Sequence, residues 1–256
     1  MKRQVKKIAI KLINPIATRL GYSRFNQKIE TNYSKNSLLR TLFLNLEAVG
    51  FIPKHIIDVG ANHGTWTREA LKYFPDSYYT LIEPQSWLQE SFQDILDKNT
   101  RVKYYPIGVG AQEGSFQFTI VNRDDSCSFR YTPEEAKAAG YKQIELSVDT
   151  LDSIVDKSHY PFPDMVKIDA EGLDIEVLKG ANTLFGKTEV FLVEAAVVNK
   201  NLKNNCFEVI KFMENNGYTL FEITDLNRPF GVKILWLVEL VFVKKGGIVD
   251  SYKIKF

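Results

Sequence analysis

The hydrophobic positions of this chain follow two different periods. After Pro53, short apolar runs rich in β-branched residues alternate with stretches in which apolar positions recur every three or four residues. The short runs predict strands and the longer spacing predicts helices. Strands are predicted at 55–59, 78–82, 102–107, 165–168, 190–193, 218–223 and 235–243, and helices at 65–74, 86–97, 174–185 and 207–216. This alternation predicts an α/β fold whose mostly parallel sheet is covered on both faces.

One segment breaks the alternation. Residues 115–121 and 143–148 place apolar side chains at every second position, and a polar stretch over 122–140 separates them. Two such runs around a loop predict a β-hairpin insertion at about 115–148. Because long loops of this kind commonly form a lid or a wall of a binding site, we expect the insertion to border the substrate.

The first fifty residues have helical patterns of their own, over 1–22 and 37–49. We therefore divide the chain into a basic N-terminal helical extension, 1–50, and a main domain, 51–256. The lysines at the start lie mostly opposite the apolar face. That pattern is typical of a helix packed on the core or on a second subunit, and also of a helix resting on an anionic membrane surface. Both interpretations remain open at this point.

Composition and charge narrow the class of protein. The chain has 256 residues, 45% of them hydrophobic and 25% charged, which is ordinary for a soluble enzyme. Residues 1–29 carry eight basic and no acidic residues. The remainder of the chain has 25 basic and 31 acidic residues, so its net charge is negative. An acidic body repels phosphate, and we expect no nucleic-acid partner. Cys127 and Cys206 fit no zinc spacing and favour a reducing, cytoplasmic location.

Glycines and acidic residues mark the ends of the first two predicted strands. The first strand leads into Asp58-Val-Gly60-Ala-Asn62-His-Gly64, and the second ends in Glu83. The glycines permit a tight turn. We expect the Asp58 carboxylate to attract the ammonium group of a ligand, and the backbone amides of the turn to bind the carboxylate of the same ligand. Glu83 lies where a carboxylate can accept both hydroxyls of a ribose. A nucleoside with an amino-acid tail describes S-adenosylmethionine (SAM) better than NAD.

Two other classes of protein compete with a SAM-dependent enzyme. A nucleotide-dependent oxidoreductase requires a third glycine in the first turn, which this turn lacks. A non-catalytic module that binds SAM is the second alternative.

Gly108, in the glycine-rich segment after the third strand, either leaves room for an adenine or forms a turn.

Charged residues in the strand predicted at 165–168 are the strongest catalytic candidates. Lys167 and Asp169 share one face of a strand that should be apolar on both. If the strand ending at Glu194 is its neighbour, the carboxylates of Asp169 and Glu194 converge at about 4.8 Å and share a proton or hold a divalent cation. Neutralisation by Lys167 in a buried ion network is the alternative. We expect Asp169, then Glu194, then His63, to be the base that activates a hydroxyl.

Five segments together resemble the FkbM family of SAM-dependent methyltransferases over about residues 54–200. They read DVGANHG, LIEP, IGVGAQEG, TLDSI and VKIDAEGLDIEVLKGA. The resemblance implies a Rossmann-like, seven-stranded class I methyltransferase sheet, mostly parallel with one antiparallel strand. It also implies O-methylation of a hydroxyl, usually on a sugar, glycan, polyketide or similar natural product.

The same resemblance assigns roles to particular positions. It implies that the SAM pocket is lined by Asp58, Gly60, Asn62 and Gly64, that Glu83 holds the ribose, and that the methyl group and acceptor face Lys167, Asp169 and Glu171. Tyr131, in the insertion, is of a residue type that stacks on sugar rings, although such residues also simply pack. A homo-oligomer in which the basic tail pairs with the acidic body remains open.

Overall fold

The structure, a computed structural model, describes residues 37–198, 202–228 and 234–251. All of them belong to a compact unit that begins at Asn36. The amphipathic helix predicted over 1–22, with its expected membrane or subunit contact, lies outside the described residues. Within those ranges, the helices are all too short or too polar to cross a membrane.

A seven-stranded sheet forms the centre of this unit. In sheet order its strands are β3 (Val102–Tyr105), β2 (Tyr78–Ile82), β1 (His55–Val59), β7 (Met165–Ile168), β8 (Val190–Ala196), β10 (Leu237–Lys244) and β9 (Tyr218–Asn227). The first five strands pair in parallel, and β10 runs antiparallel to both of its neighbours. The predicted sheet, mostly parallel with one antiparallel strand, is confirmed.

Both faces of this sheet are buried. Successive strand residues enter two separate cores, with Ile56 and Leu192 on one face and Ile57 and Val193 on the other. The covering and connecting helices are α1 (Ser37–Ala48), α2 (Thr65–Ala70), α3 (Gln93–Lys98, after a 3-10 helix over Ser86–Phe92), α4 (Pro133–Ala138), α5 (Leu151–Asp156), α6 (Asp174–Lys179) and α7 (Cys206–Asn215). Burial on both faces explains why the central strands read as continuous apolar runs.

Helix α1 is part of the core of this unit. Its buried side chains recur at helical spacing and are Leu39, Leu42, Phe43 and Leu46. The boundary expected at residue 50 thus falls after a helix that packs with the sheet, whereas the compact unit begins at Asn36. The expected boundary follows from the sequence because the alternation of strands and helices begins only after Pro53.

The insertion is larger than a hairpin. Strands β5 (Gly114–Ile120) and β6 (Lys142–Asp149) pair antiparallel, as predicted, and β4 (Gly108–Val109) adds to β6 in parallel. Helix α4 lies within the stretch that we expected to be a loop. A capping box between Thr132 and Glu135 starts it, and capping of this kind stabilises helices too short to show a period.

One predicted helix is shorter than expected. The helix expected over 174–185 stops at Lys179, immediately before Gly180. A Cβ on Gly180 would lie 2.1 Å from the carbonyl oxygen of Gly110, so the two backbones touch there. This contact joins the loop after α6 to the segment that follows β4.

Candidate active site

A cleft of about 640 Å³, including space open to solvent, lies at the carboxyl ends of β1, β2 and β7. The insertion supplies the opposite wall. Of the residues singled out from the sequence, those that line the cleft are Gly60, Asn62, Glu83, Gly108, Asp169 and Glu171.

The turn after β1 brings two backbones into direct contact. Gly60 has a φ of 72° and Asn62 a φ of 46°, both in the left-handed region. A Cβ on Gly60 would lie 1.9 Å from the carbonyl oxygen of Asp169. The amides of Gly60 and Ala61 both donate to the carbonyl oxygen of Ile82, at 2.9 and 3.1 Å. Glycine at position 60 therefore lets the ends of β1, β2 and β7 close together.

The carboxylate of Glu83 is fixed at the end of β2. It is buried, and its two oxygens accept hydrogen bonds from the backbone amides of Asn62, at 2.9 Å, and Gln85, at 3.0 Å. Burial raises the pKa of Glu83 above its usual value, although these two amides act in the opposite direction. The carboxylate is thus held rigidly in the wall of the cleft, where we expected a ribose to bind.

Asp58 does not reach the cleft. Its side chain is fully buried, Oδ2 accepts a hydrogen bond from the Thr67 hydroxyl at 2.6 Å, and Oδ1 lies 3.1 Å from Lys167 Nζ. Our expectation that Asp58 attracts the ammonium of a ligand is therefore corrected. The strand register places Lys167 directly opposite Asp58, and that register cannot be read from either segment alone.

Lys167 lies beneath the turn rather than in the cleft. Its ammonium donates to the carbonyl oxygen of Gly60 at 3.0 Å and lies 3.5 Å from Asp169 Oδ2. Burial by itself lowers the pKa of Lys167, but the charges of Asp58 and Asp169 outweigh it and the pKa is raised. A permanently charged ammonium therefore joins Asp58, the turn and Asp169, as the ion-network interpretation expected.

Asp169 is the acidic group at which this network meets the cleft. Its backbone amide donates to the carbonyl oxygen of Val59 at 3.1 Å, which extends the pairing of β7 with β1. One carboxylate oxygen faces Lys167, whereas Oδ1 is buried without a hydrogen-bond partner. The Asp169 side chain as a whole is 36% exposed, so the cleft reaches this carboxylate beside Lys167 although Oδ1 itself is buried.

Further acidic side chains crowd the same end of the cleft. Glu194 follows Val193, the partner of Ile168 on β8, and therefore stands beside Asp169. Burial and then the charge of Asp169 raise the pKa of Glu194 well above its usual value, and they raise the pKa of Glu171 to about 8. Glu194 itself does not line the cleft. Glu171 does, with a φ of 51° that is costly for a residue other than glycine.

The metal-binding role suggested for Asp169 and Glu194 stays a prediction. In the ranges described above, there is no group of three or more His, Cys, Asp or Glu side chains placed to hold a metal ion.

His63 and Tyr131, two further candidates, lie outside the lining of the cleft. His63 is exposed, and its Nε2 lies 2.8 Å from Asp124 Oδ2 in the insertion. Tyr131 stacks with Arg130, whose guanidinium carbon lies 4.7 Å from the ring centroid. Phe129, two residues earlier, does line the cleft. Gly64 is also absent from the lining, since its backbone packs against Phe92.

The sequence interpretation missed other lining residues, among them Gln85 and Asp124. Asp124 belongs to a short 3-10 turn of the insertion, and its carbonyl oxygen accepts a hydrogen bond from Gln85 Nε2 at 2.9 Å. The position of Gln85, two residues beyond Glu83, was the available signal. The contribution of Asp124 depends on how the insertion folds back, which no local pattern shows.

Comparison with known proteins decides the family. Residues 58–220 match the methyltransferase FkbM domain, and they make up well over half of the chain. The chain belongs to the FkbM methyltransferase family. The FkbM domain is a SAM-dependent methyltransferase domain, and this membership replaces the oxidoreductase alternative.

Several solved structures are similar to this FkbM domain. A 1,6-didemethyltoxoflavin N1-methyltransferase from Burkholderia thailandensis has a TM-score of 0.48 at 9% identity, over 94% of this chain and 90% of that one. A putative O-methyltransferase from Klebsiella pneumoniae has a TM-score of 0.47 at 10% identity, over 84% and 83% of the two chains. A precorrin-6y C5,15-methyltransferase from Geobacter metallireducens has a TM-score of 0.43 at 14% identity, over 86% and 93%. No curated protein matched the sequence.

The cleft of the FkbM domain fits SAM as the methyl donor. SAM carries a positive sulfonium and hydrogen-bond donors, and the cleft is lined by the carboxyl side chains of Glu83, Asp169 and Glu171. Carboxylates accept hydrogen bonds, and a cleft lined by one sign of charge attracts a ligand of the opposite charge. Glu83 and Asn62 are the residues that would hold the nucleoside, and Asp169 is the residue that would face the methyl group.

Proposed function

We propose that this FkbM domain transfers the methyl group of SAM to a hydroxyl oxygen of a sugar, a glycan or a related natural product, with Asp169 as the general base. The observation that carries the proposal is the Asp169 carboxylate, which lines the cleft, is 36% exposed and has Oδ2 3.5 Å from Lys167 Nζ. A carboxylate that is accessible from the cleft and held in place by a neighbouring ammonium is oriented to take up a proton.

A base is useful because of the chemistry of the acceptor. Bound SAM supplies an electrophilic methyl group, so the domain mainly positions the acceptor in line with it. An unactivated hydroxyl holds its proton about as tightly as water, whose pKa is ~15.7. Asp169 accepts this proton as the new bond forms, and the ammonium of Lys167 keeps the carboxylate from rotating away.

We assign supporting roles to two acidic residues near Asp169, Glu171 and Glu194. Burial and the charge of Asp169 raise the pKa of Glu171, which favours its protonated form as a hydrogen-bond donor to the acceptor. Glu194 is the second candidate base, because it stands next to Asp169. The acidic character of this end disfavours phosphate-bearing acceptors, which supports the expectation of no nucleic-acid partner. Phe129 offers an apolar surface for a sugar ring.

A non-catalytic module that binds SAM is the remaining alternative, and it predicts no methyl transfer at all. The experiment supplies methyl-labelled SAM with neutral sugars, glycans, lipid-linked sugars and phenols as acceptors. Wild type, Asp169→Asn and Asp76→Asn are compared, since Asp76 is an exposed residue before β2.

We expect wild type and Asp76→Asn to label one acceptor class at the same rate. Asp169→Asn should lower turnover by roughly 100-fold or more, with S-adenosylhomocysteine (SAH) binding changed little. Turnover of Asp169→Asn near the wild-type rate would remove Asp169 from the role of base. SAM binding without labelling of any acceptor would favour the non-catalytic module.

A further inference from the structure

The side chain of Asn204 joins the end of β8 to the start of α6. The residue is 3% exposed. Its Nδ2 donates to Asp174 Oδ2 at 2.7 Å and to the carbonyl oxygen of Glu194 at 3.0 Å, whereas Oδ1 accepts from the backbone amide of Ile175 at 3.2 Å. Since two acceptors and one donor surround the amide, only this orientation of Asn204 satisfies all three bonds. The backbone of Asn204 is fixed as well, because its carbonyl oxygen accepts from the amide of Ala196 at 3.0 Å.

Asp174 closes the turn that carries Glu171 into the cleft. It is the first residue of α6 and is fully buried, and its Oδ1 accepts from the backbone amide of Ala170 at 2.9 Å. This bond spans Glu171 and Gly172, whose φ angles of 51° and 93° are both in the left-handed region. A residue other than glycine keeps such a φ only where its surroundings hold it there. The position of Glu171 therefore depends on the orientation of the Asp174 carboxylate.

Asn204 orients that carboxylate from outside the turn. Burial and then the charge of Asp169 raise the pKa of Asp174 to about 7, whereas the amide of Ala170 acts in the opposite direction. A buried carboxyl group in this environment needs a hydrogen-bond partner at each oxygen, and Asn204 supplies the donor at Oδ2. Without that donor, the carboxyl group is held only by the turn that it is meant to fix.

We propose that Asn204 is a positioning residue for methyl transfer, which acts through Asp174 to hold the turn of Glu171 in a fixed relation to β8 and Glu194. This segment is a large part of one cleft wall, to which it contributes Asp169, Ala170, Glu171 and Leu173. Asn204 is absent from that lining, so its effect on a ligand is indirect. Small displacements of positioning groups strongly weaken transfer between two bound molecules. The proposal rests on SAM binding in this cleft.

An exchange of the two side chains tests the pair. Asn204→Asp keeps the size of the side chain and the acceptor for Ile175, but it places a second carboxyl group against Asp174, so one of the two must hold a proton. The double variant Asp174→Asn/Asn204→Asp again places one amide and one carboxyl group in contact. In that variant, only the carbonyl oxygen of Glu194 loses its bond to Asn204.

The adjacent Asn205 provides a matched control. Its side chain bonds to Leu202, Phe207 and Glu208, and its Oδ1 caps α7. Because an aspartate caps a helix equally well, Asn205→Asp makes the same change of charge in the same loop without disturbing the cap.

Two measurements are made at pH 6 and pH 8 on each protein, after thermal unfolding has confirmed that it is folded. Titration calorimetry gives the affinity for SAH, and hydrogen exchange gives the protection of the backbone amides of residues 170–175. Each variant is compared with wild type at the same pH, because the charges of Asp169, Glu171 and Glu194 also act on this site.

At pH 8 we expect Asn204→Asp to bind SAH roughly 5-fold or more weakly than wild type, with faster exchange over 170–175. Both differences should shrink at pH 6, where a shared proton restores the donor, and the double variant should recover most of each at pH 8. Asn205→Asp should match wild type throughout.

Three results would overturn the proposal. They are an Asn204→Asp variant that matches wild type in both measurements, a loss that is independent of pH and is not recovered in the double variant, and an equal loss in Asn205→Asp. A wild-type chain that binds neither SAM nor SAH would instead overturn the assignment of the cleft, and hydrogen exchange would still report whether Asn204 holds the turn.

Discussion

Lys167 and Asp58 lie directly opposite each other on β7 and β1, with Nζ 3.1 Å from Oδ1. The two side chains are 5% and 0% exposed, so this ion pair is inside the sheet rather than on its surface. The same ammonium lies 3.5 Å from Asp169 Oδ2. One lysine therefore serves both the interior of the fold and the acidic group at the cleft.

Removal of Lys167 should destabilise the fold. Lys167→Met leaves the buried carboxylate of Asp58 without its counter-ion, which in other proteins costs about 3–5 kcal/mol. Urea unfolding gives the free energy directly. The double variant Asp58→Asn/Lys167→Met removes both charges and should recover most of the loss. A cost below about 1 kcal/mol for the single variant would show that the pair is not buried as described.

A methyl group at Gly60 should disturb the cleft as well as the fold. In Gly60→Ala the positive φ is unfavourable for alanine, and the new Cβ must also displace the carbonyl oxygen of Asp169, so both effects lower the free energy of unfolding. Gly50 has a φ of 81° with no atom within 4 Å of an added Cβ, so Gly50→Ala measures the cost of φ alone, about 1 kcal/mol. We expect Gly60→Ala to cost about 1–3 kcal/mol more and to weaken SAH binding. Equal unfolding free energies for the two variants would contradict the close approach.

The central strands could be predicted because burial leaves a direct mark on the sequence. The strands at 55–59, 78–82 and 165–168 have the predicted bounds, since each is a short apolar run inside a doubly covered sheet. Strand alternation also placed Lys167 and Asp169 on one face, and the structure shows both at the same ion network.

What the sequence did not reveal depends on contacts between distant segments. Asp58 was assigned to the ligand because its partner, Lys167, is set by strand register, 109 positions further along the chain. The place of Asp124 in the cleft lining could not be identified because it depends on how the insertion folds back onto the loop after β2. Helix α4, in contrast, could have been predicted from neighbouring residues alone, because Thr132 and Glu135 form the capping box that starts it.

Glu239 should make the stability of the domain depend on pH. Burial raises its pKa from 4.5 to about 7, although the Thr224 hydroxyl bond and Lys167 act in the opposite direction. The folded state therefore binds this proton more tightly than the unfolded state. The resulting contribution to stability is fully present below about pH 4.5 and is lost as the pH rises through about 7.

Glu239→Gln removes this titration while keeping the shape of the side chain. We expect the variant to gain roughly 1–3 kcal/mol over wild type at pH 8, and to show no such gain below the unfolded-state pKa. Urea unfolding across this pH range provides the comparison. A difference between the two proteins that does not change with pH would show that Glu239 is not the group responsible.

His55 should act in the opposite direction at acid pH. The ring is buried, with Nδ1 2.7 Å from the carbonyl oxygen of Pro161 and Nε2 2.9 Å from the Thr80 hydroxyl. Burial lowers the pKa of His55 from 6.5 to about 4. The folded state thus binds fewer protons between these values, and this contribution to stability, present above 6.5, is lost as the pH falls through about 4.

The size of the His55 effect follows from the two pKa values. As the pH falls from above 6.5 to below about 4, protonation of His55 should lower the unfolding free energy of wild type by up to about 3 kcal/mol. His55→Asn should not show this decrease. His159→Asn, at an exposed histidine, is the control and should follow wild type. If the unfolding free energy falls equally at acid pH in His55→Asn and wild type, groups other than His55 cause the loss.

Equilibrium binding of SAM tests the central claim most directly, because every role proposed here places the methyl donor between Glu83 and Asp169. Titration calorimetry compares wild type with Glu83→Gln and with Glu90→Gln, an exposed control on the 3-10 helix after β2. We predict one SAM site per chain, unchanged in Glu90→Gln and weakened roughly 10-fold or more in Glu83→Gln, with thermal unfolding confirming that each variant is folded. No binding to the wild-type chain, or equal affinity in a folded Glu83→Gln, would contradict the account.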